Sequence, residues 1–272
     1  MPTSDIKPHW HDEIEFFDRV AAEKLDSLRP VAARTRERYR TRRRSWLPVE
    51  HRFRVVGSVE GKRVLDVGCG GGENSVHLAL LGARVVGLDI SPGSVALAEK
   101  RAAVNGVADR VSFLCSPVER AEFAPRAFDV IWCDGFLHHV RDELAGVLAR
   151  LNEWCAPEGV VMISEPVSLS NTLRRLRLAL FPPPVATAHE SPLDRRDLAE
   201  VMGAFSSVRV RYYGLFGRLE QFVLTRGNFE YSNFARRCVA LGLRLIDVPL
   251  LSLPLLRGLA SQVVIGASPG RS

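Results

Sequence analysis

The sequence predicts an α/β fold built on a doubly wound, mainly parallel β-sheet. The main observation is that short apolar runs alternate with helical patterns from residue 62 onward, as they do in chains made of βαβ units. The composition agrees with this prediction, because 46% of the 272 residues are hydrophobic and 25% are charged. A chain of this length and composition buries a sizeable core, and a disordered or collagen-like protein is excluded.

The predicted strands are apolar runs of five to seven residues. They cover 63–67, 84–89, 111–115, 128–133, 160–165, 208–213 and 261–267. Helical patterns lie at 74–81, 92–106, 141–155 and 194–204. Ser91 and Pro92 supply an N-cap and a first-turn proline for the second of these helices. Residues 157–159 are predicted to form a turn into the fifth strand.

Residues 1–57 are predicted to form an N-terminal helical arm that precedes the α/β domain of residues 58–272. The arm contains two predicted helices, 12–28 and 31–44, and Pro30 interrupts the chain between them. These helices are also a possible surface for a homo-oligomer.

The α/β domain carries two predicted additions, at about 166–205 and about 216–257. The first is broken by three consecutive prolines, 182–184. The second is rich in apolar and aromatic residues that must pack somewhere, so we expect it to form a helical lid over a pocket.

The formal net charge of +6 is concentrated in the arm. Between residues 29 and 54 there are ten arginines and two acids, a net charge of +8, which leaves −2 for the rest of the chain. Such a segment indicates either a solvated helix face or a binding surface for nucleic acid, anionic lipid or a phosphorylated substrate.

We expect a cytoplasmic protein without a signal segment or a metal site. The first seventeen residues lack an apolar core, and the most apolar tract, 248–256, is short and contains two prolines. Five isolated cysteines argue against a disulfide framework or a zinc site and for a reducing compartment. His9 and His11 have no further ligand cluster near them.

The strongest motif is a glycine-rich turn between the first predicted strand and the following helix. It reads Val64-Leu65-Asp66-Val67-Gly68-Cys69-Gly70-Gly71-Gly72. Glycines let the backbone approach a ligand closely, and a helix N-terminus follows. The next strand ends in Asp89, seventeen residues after Gly72, where a carboxylate can accept hydrogen bonds from ribose hydroxyls.

Two nucleotide-binding patterns compete for this turn. A dinucleotide site would have glycine at position 73, but this chain has Glu73, whose carboxylate would repel a pyrophosphate. The spacing Asp66-x-Gly68-x-Gly70-x-Gly72 instead resembles motif I of the class I S-adenosylmethionine-dependent methyltransferases. The resemblance covers 62–165. It includes Val86-Gly87-Leu88-Asp89-Ile90-Ser91, Phe128-Asp129-Val130-Ile131-Trp132-Cys133, Leu137-His138-His139-Val140, and Leu151 with Pro157-Glu158-Gly159.

The resemblance implies a Rossmann-like, seven-stranded sheet whose last strand is antiparallel, with S-adenosylmethionine as the cofactor. Asp66 and the turn would hold the methionine moiety, and Asp89 would bind the ribose. The cofactor-binding residues that it implies are Asp66, Gly68, Gly70, Gly72, Asp89, Ile90, Ser116, Pro117, Val118 and Cys133. Pro117 departs from the family, which commonly has an acid there. The contact to the adenine amino group is therefore left to Ser116, Glu119 or a backbone group.

Two side chains are predicted to act in methyl transfer, because substrates in this architecture bind beyond the carboxyl ends of the strands. His138 follows the fourth predicted strand, and Glu165 ends the fifth. Adjacent residues at a helix start point about 100° apart, so at most one of His138 and His139 should face the pocket. The resemblance favours His138. Each is a possible base or substrate anchor, and each also has a structural interpretation, as a helix cap or as a contact to the lid.

The favoured hypothesis is methyl transfer to a small, largely apolar metabolite, most simply by an O-methyltransferase of specialised metabolism. The alternative is a C- or N-methyltransferase of an anionic acceptor, such as a phosphorylated or diphosphate lipid, held by the arginine-rich arm. RNA is a weaker alternative, because few aromatic residues are interleaved with the arginines. A third hypothesis is that the chain is not an enzyme but a cofactor-binding protein that acts by interaction.

Overall fold

The computed structural model describes residues 8–41, 43–170, 191–224 and 232–270, and it confirms the predicted fold class. Its strands are β1 (Arg63–Val67), β2 (Arg84–Asp89), β3 (Val111–Cys115), β4 (Phe128–Asp134), β5 (Cys155–Pro166), β6 (Ser207–Tyr213) and β7 (Gln262–Ser268). They form one sheet in the order β3-β2-β1-β4-β5-β7-β6. β7 is antiparallel to β5 and β6, and the other pairings are parallel. The strand order reverses between β1 and β4, which is where open α/β sheets bind ligands.

Helices cover both faces of the sheet. They are α1 (Pro8–Leu25), α2 (Ala33–Thr41), α3 (Pro48–Val56), α4 (Glu73–Leu80), α5 (Pro92–Val104), α6 (Leu144–Trp154), α7 (Arg195–Gly203), α8 (Glu220–Val223) and α9 (Phe234–Ser252). α3, α4 and α5 pack on one face, and α6 and α7 pack on the other. Alternate strand residues fill the two cores, so Ile131 of β4 packs toward α6 and Trp132 toward Phe53 of α3.

α1 is attached to the N-terminus of α5 by its Asp18. Ser91 caps α5 as predicted, and its Oγ accepts the Ser94 N–H at 2.9 Å. The same hydroxyl donates to Asp18 Oδ1 at 2.6 Å, and that oxygen also accepts the Gly93 N–H at 2.8 Å. A carboxylate at a helix N-terminus is favoured by the helix dipole. α1 is therefore held beside the carboxyl end of β2.

β5 begins five residues earlier than predicted, at Cys155, and runs through Pro157. Its pairing with β4 is irregular there, since Phe128 pairs with Cys155 and Val130 pairs with Val160. The extra β5 residues between these pairings form a bulge. Proline is tolerated in a bulge because its residues do not have to donate an N–H to the neighbouring strand. The prediction of a turn at 157–159 was wrong for this reason.

The arm contains a helix that the sequence pattern did not predict. α3 begins at Pro48, with proline in its first turn, and packs Phe53 and Val56 into the core of the sheet. The first predicted helix begins and ends earlier in the chain than expected, at Pro8–Leu25, and the second is shorter than expected, at Ala33–Thr41.

Both acids of the arginine-rich segment 29–54 are paired with arginines of that segment. Glu50 is fully buried, and its carboxylate accepts hydrogen bonds from Arg38 Nε at 2.7 Å and Arg44 Nη2 at 2.6 Å. On the surface of α2, Arg40 pairs with Glu37. Burial raises the pKa of Glu50, but the hydrogen bonds from Arg44 and Arg38 outweigh it, and the pKa lies below its ordinary value of 4.5.

The addition at 216–257 is helical, as predicted, but none of its described residues lines the cavity at the switch in strand order. α9 packs instead beside β6. Asp247 holds it there, because its carboxylate accepts the N–H groups of Leu215, Phe216 and Gly217 at 2.7 to 3.1 Å. The first addition falls partly outside the described residues, since 171–190 are not among them.

Among the described residues, no helix combines the length and the apolarity that crossing a bilayer requires. The same part of the chain holds no group of three or more His, Cys, Asp or Glu side chains placed to bind a metal ion. All five cysteines are free thiols.

The buried Glu50 predicts a pH-dependent stability. We expect Glu50→Ala to lower the free energy of unfolding by about 2 to 4 kcal/mol, less than for a fully buried pair because Arg38 and Arg44 keep 27% and 36% of their side chains exposed. The folded-state pKa is depressed, so the contribution is present above pH 4.5 and is lost as the pH falls through the folded pKa.

Urea unfolding at pH 7 and at pH 3 measures this effect. The difference between wild type and Glu50→Ala is expected to shrink at the lower pH. Glu37→Gln, which removes an exposed partner of Arg40, is the matched control and is expected to change nothing measurable. A stability gap that stays constant between the two pH values would contradict the ion-pair assignment.

Candidate active site

The glycine-rich turn joins β1 to α4 through left-handed backbone conformations. Gly68, Gly70 and Gly72 have φ angles of 67°, 50° and 74°, which other residues rarely adopt. A Cβ on Gly68 would lie 2.5 Å from the Phe136 ring, and a Cβ on Gly72 would lie 2.7 Å from Ala98. Gly68 and Gly72 therefore allow close packing, while Gly70 has open space on its Cβ side.

Asp89 ends β2 and holds this turn in place. Its Oδ2 accepts the Gly70 N–H at 2.7 Å, and its Oδ1 accepts the Ser91 N–H at 2.9 Å. Burial raises the pKa of Asp89, and these two backbone hydrogen bonds oppose the rise. Each carboxylate oxygen has a second acceptor site, so Asp89 can also bind a pair of ligand hydroxyls.

A cavity lies beyond the carboxyl ends of β1, β2 and β4, and α1 closes one side of it. Trp10, Glu13 and Phe17 are the α1 residues in its wall. The predicted cofactor residues that line it are Gly68, Gly70, Asp89, Ile90, Ser116, Pro117 and Val118. The predicted residues that do not line it are Asp66, Gly72 and Cys133.

The three predicted residues outside the cavity wall have supporting positions. Asp66 is 1% exposed, and its Oδ2 accepts the Ser75 hydroxyl at 2.6 Å. Burial raises the pKa of Asp66 to about 7 despite that hydrogen bond, and the charges of Asp134 and Asp89 add to the rise. Burial also raises the pKa of the Cys133 thiol well above its ordinary value, so this thiol is unreactive.

The segment after β3 forms the end of the cavity at which the sequence departs from the family pattern. The Ser116 hydroxyl is occupied, because it donates to the carbonyl oxygen of Pro117 at 3.1 Å. Glu119 also lines the cavity, and its Oε1 is buried without a hydrogen-bond partner in the described part of the chain. A buried acceptor without a donor is costly, so Glu119 is the side chain that fits a ligand amino group.

Glu165 is fully buried at the end of β5 and accepts three hydrogen bonds. Its Oε1 accepts the N–H groups of Phe136 and Leu137 at 2.8 and 2.7 Å, and its Oε2 lies 2.8 Å from Nδ1 of His138. Because the carboxylate accepts a hydrogen bond from Nδ1–H, the other ring nitrogen of the neutral imidazole, Nε2, is left as an acceptor. Glu165 cannot reach a substrate directly, so its geometry is that of a positioning residue.

His138 and His139 are both paired with acids, and they lie on different parts of the site. His138 lines a groove beside the cavity, whereas His139 lines both the groove and the cavity. Nδ1 of His139 lies 3.0 Å from Oε1 of Glu13, 126 positions away on α1. The sequence did not point to Glu13, because no local pattern connects α1 to the turn after β4.

A second pair that sequence reasoning missed is Arg52 with Asp134. Asp134 ends β4, and its Oδ2 accepts hydrogen bonds from Arg52 and, at 3.2 Å, from Asn74. Both charged side chains are 14% exposed. Arg52 is thus an arginine of the arm that reaches the carboxyl edge of the sheet, where it meets an acid of the same chain.

Residues 64–159 match the family described as "Methyltransferase domain", and this range contains the glycine turn, Asp89 and β4. The matched part of the chain is thus similar to methyltransferase domains, which agrees with its resemblance to the class I S-adenosylmethionine-dependent methyltransferases. Its sheet order, with β7 antiparallel, agrees with this assignment.

Curated relatives of this methyltransferase include ubiquinone biosynthesis O-methyltransferases. The protein from Azorhizobium caulinodans is 35% identical over 130 residues, which are 48% of this chain and 49% of that protein. The mitochondrial protein from Schizosaccharomyces pombe is 36% identical over 122 residues, 44% of this chain and 43% of that protein. This methyltransferase thus spans about half the length of the curated relatives it matches.

Solved structures show the same fold at low sequence identity. Geranyl diphosphate C-methyltransferase from Streptomyces coelicolor aligns with a TM-score of 0.59 at 13% identity, over 97% of this chain and 98% of that one. Phosphoethanolamine N-methyltransferase 2 from Haemonchus contortus aligns with a TM-score of 0.60 at 15% identity, over 100% of this chain and 61% of that one. Identities this low show the fold alone.

S-adenosylmethionine is the cofactor that the matched domain implies, and the cavity fits it in three respects. Asp89 has acceptor capacity for the ribose hydroxyls, and the orphaned Oε1 of Glu119 matches the adenine amino group. The carboxylates of Asp66 and Asp89 lie close enough for the charge of Asp89 to help raise the pKa of Asp66, so a ligand with cationic groups is favoured beside them. When bound, the cofactor supplies a methyl group on a positively charged sulfur.

The assignment of Glu119 predicts a selective loss of affinity. We expect Glu119→Ala to weaken binding of S-adenosylhomocysteine about tenfold, because the adenine amino group loses its buried acceptor. S-inosylhomocysteine lacks that amino group, and its affinity is expected to stay unchanged. Isothermal titration calorimetry of both ligands with both proteins measures the coupling as a double-mutant cycle. Equal losses for the two ligands would show that Glu119 does not contact the amino group.

Proposed function

We propose that this methyltransferase methylates a hydroxyl oxygen of a small, largely apolar acceptor. The observation that carries the proposal is the Glu165–His138 pair, which presents an acceptor nitrogen to the groove beside the cofactor cavity. A hydroxyl is weakly acidic and gains from a base that takes its proton, whereas an uncharged amine does not need one.

The named relatives support oxygen as the acceptor atom. They are named O-methyltransferases of ubiquinone biosynthesis, so their acceptor atom is oxygen and their product belongs to the route to a quinone. A ring hydroxyl on a molecule with an apolar substituent is therefore the acceptor class that we propose. These relatives do not support the expectation of specialised metabolism.

In this proposal His138 is the catalytic base and Glu165 positions it. Nε2 of His138 accepts the proton of the acceptor hydroxyl as the oxygen attacks the methyl group, and the Glu165 carboxylate stabilises the imidazolium across the 2.8 Å contact. Because Glu165 also binds two backbone N–H groups, the imidazole is fixed relative to the end of β4. Trp10 and Phe17 of α1 help to exclude water from the cofactor cavity.

The contacts of the arm weaken the hypothesis of an anionic acceptor. Arg38 and Arg44 bind Glu50, and Arg52 binds Asp134, so these arginines are already neutralised by carboxylates of the same chain. The same contacts take these three arginines away from an RNA-binding surface, which needs uncompensated charge.

The proposed function predicts which acceptors are methylated. Methyl-labelled S-adenosylmethionine is incubated with the protein and either an alkyl-substituted dihydroxybenzene, the corresponding aminobenzene or a phosphorylated alcohol. We expect label on oxygen in the first reaction only. Label transferred only to the amine or only to the phosphorylated alcohol would refute the O-methyltransferase proposal, and so would the absence of transfer to a wider set of ring hydroxyls.

The roles of the pair predict the effects of two substitutions. We expect His138→Ala to lower kcat by about 10² to 10⁴ while the cofactor Kd stays unchanged, as for loss of a general base. Glu165→Gln is expected to lower kcat by about 10² or more, because the amide can donate to Nδ1 and favour the wrong tautomer.

The pH profile separates a base from a structural residue. In His138→Ala we expect the acidic limb of kcat to disappear, which a merely structural role would not cause. His139→Ala is the matched control, and we expect it to weaken cofactor binding more than it lowers kcat, because His139 lines the cavity. Full activity of His138→Ala would remove it as the base.

A further inference from the structure

The described residues between 216 and 255 carry most of the exposed apolar surface of the protein. Nine of the twelve large hydrophobic side chains that are exposed in the described chain lie there. The most exposed are Phe222, Phe234 and Leu255, at 61%, 83% and 94%. Soluble monomers rarely concentrate apolar side chains in this way, and such patches mark protein-binding or membrane-binding sites.

α9 buries Ala240, Asp247 and Leu251 and leaves other large apolar side chains exposed. Leu245 and Ile246 point outward and are 50% and 51% exposed. The ionisable residues beside them in sequence point inward, where Arg244 binds Glu220 with contacts of 2.5 and 2.6 Å and Asp247 binds the turn after β6. These contacts fix the orientation of the helix with Leu245 and Ile246 on its outer side.

A basic groove of about 680 Å³ adjoins the inner flank of α9. Arg54 of α3 and Arg209 and Arg211 of β6 line it, and in the described part of the chain none of the three has a carboxylate within ion-pair distance. His51 lies in the same groove. Burial lowers its pKa to about 4, and the charges of Arg211 and Arg54 contribute to the shift.

The described acids of this region do not neutralise the positive charge of the groove. Between 214 and 262 the described acids are Glu220, which is paired with Arg244, and Asp247, which is 4% exposed. Arg257 follows the exposed Leu255 and also lines the groove. The groove arginines and the exposed apolar side chains thus belong to one region, whose described residues include no exposed carboxylate.

We propose that the α9 face docks on the surface of an anionic phospholipid bilayer. The outward side chains of α9 and of 253–255 enter the interfacial layer, and the groove arginines bind the phosphates of the headgroups. Interfacial binding scales with buried apolar area plus electrostatic attraction to anionic lipid, and this face supplies both. The proposal does not depend on the acceptor assigned above.

A second copy of the chain fits the same face less well. Contact through a twofold axis at α9 would bring each basic groove close to its own copy. Like charges that face each other across an interface oppose association, and the described residues of this face offer no exposed carboxylate to compensate them.

Co-flotation with vesicles tests the proposal. The full-length protein is mixed with vesicles of phosphatidylcholine alone or of an equal mixture of phosphatidylcholine and phosphatidylglycerol. We expect binding to the mixture and much weaker binding to phosphatidylcholine alone. Arg209→Gln/Arg211→Gln is expected to lower the partition coefficient about thirtyfold, since each arginine near an anionic surface contributes about fivefold. Leu245→Glu/Ile246→Glu is expected to lower it about tenfold or more.

The matched control is Val104→Glu/Met202→Glu, which adds the same charge at two exposed apolar side chains outside this face. We expect vesicle binding like that of the wild type, and calorimetry with S-adenosylhomocysteine shows that each variant is folded. Equal binding to both vesicle types, or binding unaffected by Leu245→Glu/Ile246→Glu, would overturn the proposal. The proposal would also be overturned if the wild type does not bind vesicles and forms a dimer in light scattering that Leu245→Glu/Ile246→Glu dissociates.

Discussion

The geometry of the active-site end depends on the buried carboxylate of Glu165. A charge removed from water is costly unless it is fully paired, and here two backbone N–H groups and one imidazole satisfy it. These contacts hold the turn after β4, and that turn places the Phe136 ring against Gly68. The Glu165 side chain on β5 thereby connects His138 to the wall of the cofactor cavity. Any side chain that replaced Glu165 would have to accept hydrogen bonds from both the imidazole and the backbone of that turn.

The distribution of charge in the folded chain differs from its distribution along the sequence. Four of the ten arginines between residues 29 and 54 have carboxylate partners in the described part of the chain, of which the buried Glu50 and Asp134 are the most important. The basic surface that stays open is assembled from Arg54 and from two arginines of β6, more than 150 positions later in the chain. Positive sequence charge and positive surface are separate properties, because short-range pairing decides which arginines remain available.

Local patterns were sufficient to predict the strands, the glycine turn and the place of Asp89 at the end of β2, because periodicity and glycine spacing act over a few residues. They were not sufficient for contacts between distant segments. Glu13 reaches His139 across 126 positions, and nothing near either residue signals it. Glu165 was recognised as important, but its burial, which makes it a positioning residue, depends on how β4 and β5 end side by side.

The orientation of α9 could not be predicted from the sequence for a different reason. An apolar stripe normally faces the core, and the lid prediction rested on that rule. Here Asp247 and Arg244 find partners in the turn and helix that precede α9, so these two side chains face the protein together with Leu251, while Leu245 and Ile246 stay exposed. The partners of two ionisable side chains therefore helped to set an orientation that hydrophobicity alone does not predict.

The attachment of α1 has a kinetic consequence. This helix forms one wall of the cofactor cavity and is held by Asp18 at the start of α5 and by Glu13 at His139. The methylated product of each turnover leaves behind a spent cofactor that must exchange for a fresh one. Detachment of α1 opens a path for that exchange, so the strength of these two contacts sets a residence time as well as an affinity.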